Sequence, residues 1–137
     1  MNRTPLPQEP LALTGEDLAV GGDGIARVEG KVVFVPHLLP GARARVMLVE
    51  DKGRFARGRI VETLAHGKHE ITALCSVQST CGGCAWMHFA PVAANETRRA
   101  QCAHLLSRAA GMDIPVRWLD VDSPGRHREA DLPRDLR

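Results

Sequence analysis

The chain runs to 137 residues, 44% of them hydrophobic and 25% charged, which suffices for one modest core or two small ones. No apolar run approaches the length of a membrane span, and the opening M-N-R-T-P-L-P-Q-E-P sets prolines and a glutamate where a secretory signal needs continuous apolar residues. A soluble, cytoplasmic protein with no membrane partner is expected, and a net charge of +2 does not alone announce a nucleic-acid binder.

Residues 1–10 read as a disordered leader. From 11 to 63, short alternating or β-branched runs bounded by glycines predict five strands: Leu11–Val20, Gly24–Val28, Lys31–Val35, Arg43–Glu50 and Arg54–Glu62. Glu29-Gly30 fits a two-residue hairpin with Gly30 at positive φ, and Pro40-Gly41 and Lys52-Gly53 mark later turns. The run G-G-D-G-I-A lacks the full GxGxxG pattern of a dinucleotide loop and no helix follows it, so it reads as a turn. Five strands in so short a stretch predict a small closed barrel of the OB type.

Between residues 43 and 59, Arg43, Arg45, Lys52, Arg54, Arg57 and Arg59 are set against only Glu50 and Asp51. Such a local excess suits an RNA phosphate backbone, and it is equally what a solvated strand face looks like. Phe55 and Trp86 are the candidates for base stacking. With five aromatic residues in all, binding is expected to be mostly electrostatic and to weaken steeply with salt.

Residues 64–90 read as a loop-rich connector carrying C-S-V-Q-S-T-C-G-G-C. There Cys75, Cys81 and Cys84 can fold around one soft metal centre, because Gly82 and Gly83 let the backbone approach it closely. In a reducing compartment metal ligation is the better reading than a disulfide. Iron–sulfur and zinc are close on spacing alone, and His88, four residues after Cys84, is either a zinc ligand or a side chain packed beside Trp86. The other histidines are scattered. A helix is predicted over Val92–Ala110, opened by Pro91, with Asn95 as a candidate internal cap and Gly111 at the C′ position. Cys102, Leu105, Leu106 and Ala109 share one helical face, which predicts a packed Cys102, with a fourth metal ligand as the alternative. Ile114–Val121 reads as a further strand, which makes residues 64–121 a cysteine loop, a helix and a short strand. The polar tail 122–137 is expected to be disordered. The fold class is therefore mostly β with a C-terminal helix, and no nucleophile, base and pocket assemble into a catalytic pattern.

Two stretches, G-D-G-I-A-R-V-E-G-K-V-V-F-V-P-H-L-L-P-G at 22–41 and C-S-V-Q-S-T-C-G-G-C-A-W-M-H-F at 75–89, resemble the N-terminal part of the RNA (uracil-5-)-methyltransferases, in particular the bacterial members acting on 23S ribosomal RNA. The chain departs from that pattern at Ala73-Leu74, where a proline often precedes the first cysteine, and at Met87, where a glutamine often precedes the histidine. The resemblance implies that the barrel is a TRAM domain binding RNA. It further implies that Cys75, Cys81 and Cys84 are three of the four ligands of a [4Fe–4S] cluster, the fourth being a cysteine further downstream. The S-adenosylmethionine site, nucleophilic cysteine and glutamate base of the family match no residue here. On this reading the chain is the front end of such an enzyme, truncated or frame-disrupted and inactive alone. A stand-alone TRAM-type RNA-binding protein and a zinc-stabilised interaction domain are the alternatives.

Overall fold

The alternation of residue types becomes an alternation of faces. In the computed structural model, which describes residues 5–81, 83–117 and 119, six strands precede one helix. The strands are β1 (Leu11–Thr14), β2 (Asp17–Leu18), β3 (Gly24–Val28), β4 (Lys31–Val35), β5 (Arg43–Asp51) and β6 (Phe55–Ala65), and the helix is α1 (Pro91–Ala110). Residues 5–10 carry neither helix nor strand, and the chain divides into two compact units, Met1–Ala90 and Pro91–Arg137.

The strands form one OB-like sheet in the order β1-β5-β6-β4-β3-β2, antiparallel throughout except where β4 runs parallel to β6. The β3–β4 hairpin holds both Glu29 (φ 48°) and Gly30 (φ 81°) in the left-handed region, as a type I′ turn requires. The sequence reading assigns that demand to Gly30 alone.

Two expectations are corrected. The predicted first strand is two, because the chain changes partners at Gly15-Glu16: β1 pairs with β5, whereas β2 pairs with β3. Gly15 N–H donates to the Ala42 carbonyl at 2.8 Å and Glu16 N–H to the Ile25 carbonyl at 2.8 Å, and a Cβ at Gly15 would collide with the Leu39 carbonyl. The predicted closed barrel is consequently a sheet with an open ladder. β1 and β2 are its two edges, joined by the covalent chain and not by strand pairing.

Leu13, Ala26, Val33, Val35, Ala44, Val46 and Ala56 point inward and are buried, with Val33 between Ala26 of β3 and Ala56 of β6. Val33→Ala removes buried methyl groups from the middle of this layer and is expected to cost about 2 kcal/mol. A lowered urea midpoint at unchanged m-value checks it, and an unmoved midpoint places Val33 outside the cooperative core.

The second unit begins with α1. It starts at Pro91, where the missing N–H is harmless, and ends at Gly111 (φ 67°), as predicted, while Asn95 lies inside the helix. Its predicted core face is exposed: Leu105 and Leu106 are each 49% accessible and Cys102 is exposed, with Ala94 the buried helical residue among those described. Two leucines among alanines and a cysteine offer too little apolar area to force burial. Residues 114–117 form no strand. Ile114 N–H donates to Ser107 Oγ at 2.8 Å and Arg99 reaches the Val116 carbonyl at 3.5 Å, so this segment runs back beside the helix. Of the predicted strand, 118, 120 and 121 lie outside the described residues, as does the tail 122–137. No helix among the described residues is long and apolar enough to cross a membrane.

Candidate nucleic-acid interface and cysteine loop

Residues paired across a ladder share a face, so the register of β5 and β6 sorts the charges. Arg45 lies opposite Glu62, Met47 opposite Arg59 and Glu50 opposite Arg57, all on the outward side, while Ala44, Val46 and Ala56 alternate inward. Arg43 and Arg45 are outward on β5, Arg57 and Arg59 outward on β6, and Lys52 and Arg54 stand exposed at the turn between them. The six cations of the sequence reading thus fall on one strand pair and its connecting turn.

Register then divides them. Arg45 pairs with Glu62 at 3.5 Å, and Glu50 receives Lys52 at 2.7 Å and Arg57 at 3.7 Å. Arg43, Arg54 and Arg59 hold no ion pair among the described residues. The turn itself is braced by Asp51, whose carboxylate accepts from Lys31 Nζ at 2.8 Å and from Gly53 N–H at 2.7 Å. The Lys31 hydrogen bond, helped by that of Gly53, holds the Asp51 carboxyl below its ordinary range.

Aromatic placement differs from expectation. Phe34 of β4 lies opposite Arg57, Val32 opposite Phe55, and the two phenyl rings meet edge to face with centroids 5.6 Å apart. Both rings are half-buried on the outward face. Phe34 is missed by sequence reasoning because K-V-V-F-V is apolar at four positions running and conceals which side faces out. Trp86, the other stacking candidate, is buried instead: Nε1 donates to the Gly22 carbonyl at 3.1 Å and the ring packs edge-on against Phe89. Gly22 (φ 105°) makes that seat, since a Cβ there would press into Ala85 and Trp86 at 2.7 and 2.8 Å.

The cysteine loop is folded by its own turns and tied to the sheet unit. Gln78 N–H donates to the Cys75 carbonyl at 3.3 Å, Cys81 N–H to the Val77 carbonyl at 2.8 Å and Cys75 N–H to Met87 Sδ at 3.3 Å. At the base Ile71 N–H donates to the His88 carbonyl and Ala90 N–H to the His69 carbonyl, each at 2.8 Å. Inside the loop Gln78, 8% exposed, donates from Nε2 to the Cys84 carbonyl at 3.0 Å and lies 3.1 Å from His88 Nδ1 and 3.3 Å from His37 Nδ1. His88, also 8% exposed, places Nε2 3.0 Å from the His37 carbonyl. A carbonyl only accepts, so His88 carries its proton on Nε2 and its Nδ1 accepts from Gln78. Burial, reinforced by neighbouring His88 and opposed by Asp23, makes His37 harder to protonate than an ordinary histidine.

These bonds bear on metal binding. All four cysteines are free of disulfides, with Cys81 and Cys84 exposed and Cys75 half-buried. Three thiols at this spacing have the donor chemistry for a soft metal centre. Among the described residues, however, no three His, Cys, Asp or Glu side chains come together as a metal-holding group. His88 has both ring nitrogens committed, and Cys102 belongs to the second unit.

Residues 13–61 match the TRAM domain model, which gives the OB-like sheet its class. Across 88% of its length the chain is 34% identical to a 23S rRNA (uracil(1939)-C(5))-methyltransferase RlmD of Edwardsiella ictaluri. An RlmD of Methylococcus capsulatus is 43% identical over 60% of the chain, and an uncharacterized RNA methyltransferase of Bdellovibrio bacteriovorus 39% over 90%. The chain is the counterpart of the N-terminal part of this RNA (uracil-5-)-methyltransferase family. It spans 27%, 18% and 31% of the lengths of those three relatives.

Proposed function

We propose that the chain is the RNA-binding, cluster-bearing N-terminal portion of an S-adenosylmethionine-dependent rRNA (uracil-5-)-methyltransferase, acting on ribosomal RNA in the cytoplasm. The observation that carries this reading is the cationic outward face of β5 and β6 within the TRAM domain, three of whose arginines have no carboxylate partner among the described residues. The similarity to 23S rRNA methyltransferases along most of the chain supports the target class. No residue in the chain is assigned a catalytic role or contact with S-adenosylmethionine. Cys75, Cys81 and Cys84 are assigned to three irons of a [4Fe–4S] cluster, the fourth ligand lying elsewhere. Zinc held by three thiolates and an imidazole is disfavoured, because His88 would have to give up one of its two buried hydrogen bonds to free a ring nitrogen.

Anaerobic purification followed by iron and acid-labile sulfide analysis tests the cluster. Iron and sulfide in comparable amounts are expected, falling sharply in Cys81→Ser. Zinc without sulfide would replace the cluster by a zinc-stabilised module. Filter binding to 23S rRNA fragments tests the RNA role, and no retention of any fragment would remove it.

A further inference from the structure

We propose that Phe34 and Phe55 form a stacking site for one unpaired base, which makes single-stranded RNA the ligand class of this face. The inference rests on the RNA-binding reading above and specifies it. Both rings stand on β4 and β6, interior strands of the sheet, so their positions are fixed by ladders on either side. They meet edge to face at 5.6 Å, half-buried, with Val32 and Ile25 beside them on the same outward side. Arg57 lies opposite Phe34 in the register, and Arg54 immediately precedes Phe55 in the chain. Cationic groups therefore border the rings where a backbone entering or leaving the stacked base would pass.

The remaining described aromatics do not compete, since Trp86 and Phe89 are buried against each other. Duplex RNA keeps the faces of its bases against neighbouring bases, so a protein ring gains a stacking contact only from an unpaired nucleotide. One pair of rings suits a single base; the neighbouring nucleotides are held through phosphates.

Fluorescence anisotropy with the full chain separates this from phosphate binding. Three labelled probes of one length are compared: a single-stranded oligonucleotide, the same backbone without bases, and a duplex. Wild type is expected to bind the single strand about tenfold tighter than the abasic strand. Phe34→Leu and Phe55→Leu, which keep apolar volume on the sheet, are expected to remove that difference and leave duplex affinity and salt dependence unchanged. The abasic comparison needs no variant and so stands even if a substitution perturbs folding. Equal binding of the single and abasic strands by wild type, with affinity still falling on removal of Arg43, Arg54 and Arg59, would overturn the stacking site and leave the RNA-binding reading intact. No binding of any probe would remove both.

Discussion

Replacing Arg43, Arg54 and Arg59 together by alanine is expected to weaken single-stranded RNA binding about a hundredfold at 0.1 M salt. Each phosphate contact to a single strand releases about 0.7 of a counterion, so three contacts contribute about two log units at that salt. Removing Arg45, Lys52 and Arg57 instead is expected to cost about tenfold or less. Glu62 and Glu50 already balance those cations, and a phosphate must compete with a carboxylate for each. Three free contacts also fix the salt dependence: log K against log salt should slope by about −2, whereas six free contacts would give about −4. Equal losses from the two triple variants would show that the ion pairs do not discriminate.

Gln78→Leu is expected to release the cysteine loop, at a cost of about 3 kcal/mol to its docking. The substitution leaves the Cys84 carbonyl and His88 Nδ1 without their donor and removes the amide beside His37. Each buried acceptor left unpaired costs roughly 1–3 kcal/mol. Hydrogen exchange over residues 75–89 reads the effect, as a loss of protection of about a hundredfold against unchanged protection in β3 to β6. Wild-type protection in the variant would mean that the loop is held by its strand-like base and Trp86 alone.

The hub also predicts a pH dependence. Folding lowers the pKa of His37 from the ordinary 6.5, chiefly by burial, so below that value the unfolded chain binds a proton that the folded chain refuses. Stability should fall as pH drops through about 6.5 and level off below the folded pKa. Urea midpoints at pH 7.5 and 5.5 measure the fall, which should shrink in His37→Asn. Asp51 and Glu96 report elsewhere. Hydrogen bonds from Lys31 and Arg99 lower their pKa values from 3.8 and 4.5, so their contribution is present above those values and is lost in more acid solution.

How much of this was legible follows from what each signal sees. Alternation and turn residues locate β3, β4, β5 and β6 to within a few positions, because face and period are local properties. They do not reveal the break at Gly15, where the chain leaves β5 for β3, because that choice depends on Ala42, Leu39 and Ile25 arriving from elsewhere. Charge counting finds the six cations and cannot see cross-strand register, which alone sets Glu62 against Arg45 and Glu50 against Arg57. The cysteine spacing is plain in the sequence, whereas the Gln78 hub is not, since its partner His37 lies 41 residues away. Trp86 reads as a stacking residue until the Gly22 carbonyl is found on its indole nitrogen. Helical spacing groups Cys102 with Leu105 and Leu106, but a shared face is buried only if something covers it.

The most direct test is to titrate the isotope-labelled chain with a single-stranded 23S rRNA fragment and follow backbone amide shifts. The account predicts that the largest perturbations fall on β5, β6 and the turn at Lys52-Gly53, extending to Phe34 in β4 and leaving α1 unmoved. Saturable binding that shifts α1 or the cysteine loop while β5 and β6 stay still would contradict it.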